Sequence, residues 1–545
     1  MTAVSSGTPP AAPPVLASAE SIADAVAVAR VPAAQLEVAT EELTRFPGAR
    51  LADLFAAGID PVTLRMVWAM DHDQRYLITE TDVAERRYPA LSDIAPAAFA
   101  EECEIYEQFG IRPSGGKPLN RVAVPPLSDV ELPRLGRAPA EPPHDVHAPH
   151  VVGGHAFEFP FGPVRQAGVE SLYYGLVTSG EELVDLYLFT WHKHRGVEYR
   201  AQGKTPQQAL FHIERAEGLG AVGNSWAFAA AAESALGIEP GPAATACRTI
   251  ALELERLYNH AAAIAAMCQA CGLSVGRSAA EIALEYFLRL NAAVFGHRYL
   301  FGVLAIGGSR VVPDTTALRT GLPEAYAELR RAGDALLGTN SFLDRLEATG
   351  IVSAEDSRRL GLVGPVARAS GVSVDVRADH PFGLYATLAP EAATQAGGDA
   401  LARLRVMLAE AGESVRLIEA LLAGAGGHLA GEDQAPGVAG ADGHRPGILR
   451  DGQRSLASRD LASCDRASRE GAARRSGLGW AESARGESMA WVELDETGKI
   501  SRARLRPAAV RNWRGFDDAC RSQNVFTDIP IIEASFWLTV AGTAR

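Results

Sequence analysis

Arg377-Ala378-Asp379-His380-Pro381-Phe382 places a guanidinium, a carboxylate and an imidazole side by side, a combination able to tune a proton and pass it on. The same stretch also suits a salt-bridged loop shaped by Pro381, and local sequence does not separate the two. His192-Lys193-His194-Arg195-Gly196-Val197-Glu198 alternates two histidines as a strand-borne metal pair would, but no further ligand set accompanies them. A solvated strand end running into a glycine turn is the plainer reading. Cys268-Gln269-Ala270-Cys271 is the only CxxC in the chain. It lacks a second ligand pair for zinc and a thioredoxin-like βαβ setting, so a structural role is expected. Ile306-Gly307-Gly308 has neither a phosphate-loop nor a dinucleotide fingerprint. Local chemistry alone names no reaction.

Elements of ordinary globular composition must position these groups. The chain has 545 residues, 47% hydrophobic and 22% charged, enough for several compact units and a sizeable core. Its formal charge of −14, without a dense basic run, argues against a dedicated nucleic-acid binder. No apolar run approaches the ~20 residues of a membrane span, and the N-terminus has no basic region leading into an apolar stretch, so no secretory signal is expected. Six cysteines do not make an extracellular disulfide framework in a chain this long. A cytosolic, multi-part protein is the expectation.

Along the chain, residues 1–35 are expected to be disordered, the first 20 being rich in Pro, Ala and Ser. Residues 36–126 mix short apolar runs (Leu64–Met70, Tyr76–Ile78) with a helical stretch over Pro96–Phe109, an α/β domain. Residues 127–150 are proline-rich and suit an extended linker. Over 151–425, strands and a hairpin within Gly154–Tyr187 give way to long helices. Ile250, Leu254, Leu257, Ala261, Ile264 and Cys268 form one apolar stripe; Leu401, Leu404, Leu408, Ala411, Val415, Ile418 and Leu422 form another. Such stripes pack helix on helix. Residues 426–477 read as a disordered insertion, and 478–545 resume with strands at Ala490–Leu494 and Ser501–Leu505. The fold class expected is α+β: an N-terminal α/β docking domain, then a mainly α-helical bundle with small flanking β-sheets.

The order of segments adds a resemblance. Arg195-Gly196-Val197-Glu198, Leu254-Glu255-Arg256-Leu257-Tyr258-Asn259-His260, Ile306-Gly307-Gly308, Val363-Gly364-Pro365-Val366-Ala367-Arg368-Ala369-Ser370-Gly371, Asp375 and Arg377–Phe382 follow one another. Asp399, Arg403 and Arg405, then Glu482 and Arg485-Gly486-Glu487, also fit. This succession resembles the large subunit of group 4 [NiFe] hydrogenases of the formate hydrogenlyase and hydrogenase-4 type. It is equally similar to the quinone-site subunit of respiratory complex I. Arg87–Leu91 and Glu104–Ile111 resemble the small peripheral-arm subunit of complex I, here fused ahead of the large one. The resemblance implies an iron–sulfur small subunit as partner, a proton-pumping membrane arm, and a peripheral position on the inner face of the cell membrane.

Departures from the resemblance carry as much weight. In true [NiFe] hydrogenases two CxxC pairs hold nickel and iron, because soft thiolates suit those metals. Alignment on Glu233 and Gly237 puts the first pair at Glu217 and Gly220; alignment on Ile531–Ser535 puts the second at Thr539 and Gly542. None is cysteine, so no metal is expected on this chain. The family's quinone histidine falls in Gly162-Pro163-Val164-Arg165-Gln166-Ala167-Gly168, which has none; its quinone-bonding tyrosine aligns with Gly218, and an associated acid with Ala270.

The first functional expectation is therefore a large subunit of a membrane-associated complex I-like or hydrogenase-4-like oxidoreductase without a Ni–Fe centre. It docks an iron–sulfur subunit and couples redox or conformational change to proton-translocating membrane subunits. Arg195, Glu198, Arg377, Asp379 and His380 are expected to line the old cavity, with Glu198 and His380 as proton carriers, or to survive as structural ion pairs. A second expectation is an NADH/quinone oxidoreductase subunit whose quinone cavity is remodelled. A third is a structural or assembly subunit with no redox role.

Overall fold

The computed structural model describes residues 13–58, 60–124, 134–143, 155–165, 170–190, 192–424, 475–521 and 524–545. The chain divides into two compact units, the first made mainly of residues up to 122 and the second of most of the remainder.

Period-two hydrophobicity builds the first unit. Its sheet contains β1 (Glu20–Ala23), β2 (Val26–Arg30), β3 (Ala49–Ala57), β4 (Val62–Met70) and β5 (Arg75–Val83), in the order β1-β2-β5-β4-β3. Only β2 and β5 pair in parallel. Val62, Leu64, Met66, Trp68 and Met70 alternate along β4 and enter one buried cluster with Leu36 and Leu43 of α1 (Leu36–Arg45) and Ile105 and Phe109 of α2 (Phe99–Phe109). A left-handed Gly110 ends α2. Two short strands, β6 (Arg87–Pro89) and β7 (Arg112–Ser114), close the unit.

Two boundary expectations are corrected here. Structure begins well before residue 36, because Val26, Ala29 and Val31 have apolar neighbours to bury against; residues 1–12 lie outside the described residues. Part of the proline-rich stretch packs onto the same unit: Leu135 joins its core, and the Tyr106 hydroxyl donates to the Glu141 carbonyl over 2.7 Å. The rest of that stretch lies outside the described residues.

The second unit opens with an antiparallel sheet of β8 (Phe157–Phe161), β9 (Tyr173–Ser179) and β10 (Glu182–Phe189). Helices α3 (Val197–Ala201), α4 (Pro206–Ile213), α5 (Ala221–Leu236), α6 (Pro242–Ala270), α7 (Ser274–Phe295) and α8 (Thr315–Leu337) come next. Two short helices, α9 (Gly364–Ala369) and α10 (Val376–Asp379), then lead to α11 (Ala400–Gly424). A second sheet, β11 (Arg475–Ser483), β12 (Gly486–Leu494) and β13 (Ile500–Arg506), is followed by α12 (Ala508–Cys520) and α13 (Ile529–Phe536). Strand β11 starts inside the insertion expected to be disordered; residues 426–474 of that insertion lie outside the described residues.

Helix α6 is the axis of this unit, packed against α5, α7, α11, α13 and β11. Both predicted stripes enter one core cluster. The alanine-rich α5 lies flat on β11, whose Gly477 and Gly479 leave no side chain between strand and helix backbone. Because α6 is covered on all sides, its Arg248, Glu253, Glu255, Arg256, Asn259 and His260 are buried with it and must find partners there. The fold is α+β, as expected. Among the described residues, no helix is long and apolar enough to cross a membrane.

Candidate functional site

The four positions aligned with metal ligands meet at one point. Glu217 and Gly220 lie on the turn between α4 and α5, and Thr539 and Gly542 lie in the segment after α13. Thr539 donates its hydroxyl to Oε1 of Glu217 in a short hydrogen bond, and Asn224 donates to Oε2 over 2.8 Å. A Cβ added at Gly220 would stand 2.8 Å from Oε2, and one added at Gly542 would stand 2.8 Å from Oε1. The Glu217 carboxylate thus fills the volume that side chains at the two glycines would need.

Arg195 clasps this point. Its guanidinium donates to the carbonyls of Arg215, Ala216 and Ala541, and its own N–H donates to the Ala544 carbonyl over 2.8 Å. It therefore ties the first ligand-bearing turn to the second. Glu170 braces the same segment by accepting from the backbone N–H groups of Val540 and Ala541; burial, aided by the nearby charge of Glu217, raises its pKa. Behind the site, Glu255 accepts from the N–H groups of Val222 (2.6 Å) and Gly223 (2.9 Å), and burial pushes it up to about 7.

Beside this point opens a cavity of about 660 Å³. Gly218 and Ala270, the positions aligned with the quinone tyrosine and its acid, both form its wall, and neither offers a polar group. The loop aligned with the family's histidine-bearing one contributes Arg165, whose Nη1 donates to both carboxylate oxygens of Glu533 at 2.9 and 2.8 Å; residues 166–168 of that loop lie outside the described residues.

Four of the five charged residues singled out from sequence lie elsewhere, and none of the five lines this cavity. Glu198 accepts from Leu505 N–H and meets Arg502, Arg545 and Arg504 at 2.8, 3.0 and 3.8 Å. Burial would raise its pKa, but the three guanidiniums prevail and hold it near 2. A carboxylate held so low does not take up a proton near neutral pH. Asp379 is half-buried and accepts from Asp375 N–H over 2.8 Å, and the buried His380 offers its carbonyl to Trp480.

Arg377 belongs to a fully buried ionic network. It pairs with Asp375 at 2.7 Å and Glu253 at 3.2 Å. Arg368 pairs with Glu410 at 2.7 Å and Glu482 at 2.9 Å, while Arg256 meets Glu253 at 3.2 Å. His260 bonds Glu410 at 2.9 Å, and Ser414 and Tyr385 donate to Glu253. Three guanidiniums face four carboxylates, so the network carries one acid too many. Burial puts the imbalance on Glu482, raised to about 7, whereas neighbouring guanidiniums hold Glu253 and Glu410 near 2 against burial. The buried His260 is pushed down by desolvation, which leaves Glu482 as the network's proton holder near neutrality.

The remaining motifs are structural. Gly307 N–H and the Gly308 carbonyl wrap the buried Arg248–Glu233 pair. Burial pushes the Cys268 and Cys271 thiols up to about 12 and 11, which leaves them protonated and unreactive. His192 and His194 lie on irregular chain between β10 and α3. Among the described residues, no group of three or more His, Cys, Asp and Glu side chains could hold a metal ion.

Comparison with known proteins matches residues 282–545 to the family described as respiratory-chain NADH dehydrogenase, 49 Kd subunit. Formate hydrogenlyase subunit 5 of Escherichia coli (strain K12) is 26% identical over 472 residues, spanning 84% of this chain and 76% of that protein. A carbon monoxide-induced hydrogenase of Rhodospirillum rubrum is 32% identical over 270 residues, covering 49% of this chain and 75% of the relative. An NADH-quinone oxidoreductase subunit of Carboxydothermus hydrogenoformans is 30% identical over 250 residues, covering 45% of this chain and 68% of the relative.

Proposed function

The chain belongs to the family of the respiratory-chain NADH dehydrogenase 49 kDa subunit, and from that membership we propose that it is a large subunit that has lost the nickel–iron site but keeps the scaffold around it. Its relatives are components of formate hydrogenlyase and NADH-quinone oxidoreductase, which are multisubunit assemblies. In this reading the chain docks an iron–sulfur subunit, sits peripherally on a membrane arm at the inner face of the cell membrane, and couples redox or conformational change to proton translocation.

One observation carries the proposal: a single carboxylate occupies the point where the four aligned positions converge. Glu217 supplies one hard oxygen donor and Thr539 a hydroxyl it already donates to Glu217, while Gly220 and Gly542 supply nothing. Soft-ligand chemistry for nickel and iron does not fit that donor set. Proton coupling is assigned to Glu255 and Glu482, whose carboxyls titrate near neutrality, rather than to Glu198.

The test is nickel and iron content per chain in the assembly drawn from native membranes through an N-terminal tag. Iron without nickel, in a fraction carrying membrane subunits, is the expected result. Nickel near one per chain would overturn the reading, as would a chain recovered without metal or partner.

A further inference from the structure

Arg485 is buried at 4% exposure, and only part of its guanidinium is bonded. Its Nε donates to the Trp537 carbonyl over 2.6 Å, and its guanidinium lies 5.9 Å from the Trp537 ring centroid. Among the described residues, neither terminal nitrogen makes a hydrogen bond or ion pair. The side chain lines the 660 Å³ cavity, a size suited to a small organic molecule. A guanidinium this buried is costly when its terminal N–H groups have no acceptor, and those N–H edges match a carboxylate bidentately.

Glu170 and Glu255 lie close enough to attract its charge, but the neighbouring acids do not bond its terminal nitrogens. Glu170 is engaged by backbone donors of Val540 and Ala541, Glu255 by those of Val222 and Gly223, and Glu533 by Arg165. Away from Arg485 the wall is largely apolar, with Phe161, Leu219, Ala266, Trp513 and Leu538. We propose that this cavity binds an amphiphilic monocarboxylate, its head paired with the terminal nitrogens of Arg485 and its apolar body against the Trp513 and Leu538 side. A phosphate head is disfavoured because its second charge would face Glu170 and Glu533 on the same wall. A neutral carbonyl would leave the guanidinium's charge uncompensated. The inference rests on the cavity alone and stands or falls apart from the metal content and the assembly.

Calorimetric titration of the full chain with decanoate, below its micelle concentration, tests it against decanol and decylubiquinone. Saturable one-to-one binding of decanoate is expected, about tenfold or more tighter than either uncharged probe. Arg485→Gln should weaken decanoate by about the same factor and leave decanol unchanged. Because Arg485 also bonds Trp537, a second variant separates binding from folding. A Cβ at Gly218 meets nothing within 4 Å, so Gly218→Leu extends into the cavity without displacing protein; it should abolish binding at an unchanged melting temperature. Equal affinity for decanol or decylubiquinone, no decanoate binding, or full decanoate affinity in either variant would each overturn the proposal.

Discussion

Oε2 of Glu217 lies 2.8 Å from the point where a Cβ on Gly220 would stand. Real Cβ atoms do not approach a neighbour that closely, so the large residue at one position and the absent side chain at the other are a single structural solution. The same holds across the site at Gly542, 2.8 Å from Oε1. A thiolate pair cannot be rebuilt at the glycines while Glu217 keeps its hydrogen bonds to Thr539 and Asn224.

This compensation is measurable as a coupling. Gly220→Ala should cost about 1–3 kcal/mol in unfolding free energy, because the Glu217 carboxylate must leave its donors to make room. With Glu217→Ala already present, the same change should cost little, giving a double-mutant coupling on the order of 1 kcal/mol or more. Denaturant titration of the four chains decides it. Strictly additive losses would mean the carboxylate does not fill that space.

Glu255 predicts a pH dependence with a definite sign. Its folded pKa, about 7, lies above the ordinary 4.5. Between those values the folded chain holds a proton that the unfolded chain has released. Stability from this group is therefore complete below about pH 4.5 and is lost as pH rises through 7. Glu255→Gln lacks that slope. Relative to the parent, the variant should gain on the order of 3 kcal/mol between pH 5 and pH 8. The constant loss of one acceptor for Val222 or Gly223 N–H does not change with pH. Parallel stability curves over that range would refute the assignment.

Much of this architecture was legible in the residues. The stripes on α6 and α11 and the alternation on β4 follow from periodicity, since burial selects every third or fourth residue on a helix and every second on a strand. Convergence of Glu217, Gly220, Thr539 and Gly542 came from segment order, because alignment carries three-dimensional information that spacing lacks. The partners of the charged residues were not legible. Glu198 and Arg502 are separated by 304 residues, and no local pattern pairs them. Glu255 and Glu482 were hidden for a different reason: their titration depends on complete burial, which a motif does not reveal. One signal was present. A long helix so rich in Ala and Leu that still carries Glu253, Glu255 and Arg256 places those charges close to the core, and that marks it as the place to look.

Glu198 gives a contrasting test. Its folded pKa near 2 lies below the ordinary 4.5, so the stability it contributes is present above about pH 4.5 and is lost as pH falls toward 2. Glu198→Gln leaves Arg502, Arg504 and Arg545 without their shared anion and should cost about 3 kcal/mol or more at pH 7. The gap should be flat from pH 6 to 8 and close in acid. A gap that changes between pH 6 and 8 would restore Glu198 as a proton carrier.

The Val363–Gly371 segment offers a sharper comparison between two glycines. Gly364 has φ +69° and Gly371 has φ +79°, so alanine is strained at both, by about 1 kcal/mol. At Gly364 the added Cβ also runs into the Arg485 carbonyl and stands 2.7 Å from the Gly486 Cα, backbone that cannot rotate away. At Gly371 the nearest atom, the Gln395 carbonyl oxygen, is 3.8 Å distant. Gly364→Ala should therefore lose roughly 3 kcal/mol or more and Gly371→Ala only about 1, read from denaturation midpoints at constant m. Because the clash falls on the backbone of Arg485, Gly364→Ala should also weaken decanoate binding, which Gly371→Ala leaves intact. Equal stability losses at the two positions would show that left-handed backbone alone, and not the close approach to Arg485, fixes glycine at 364.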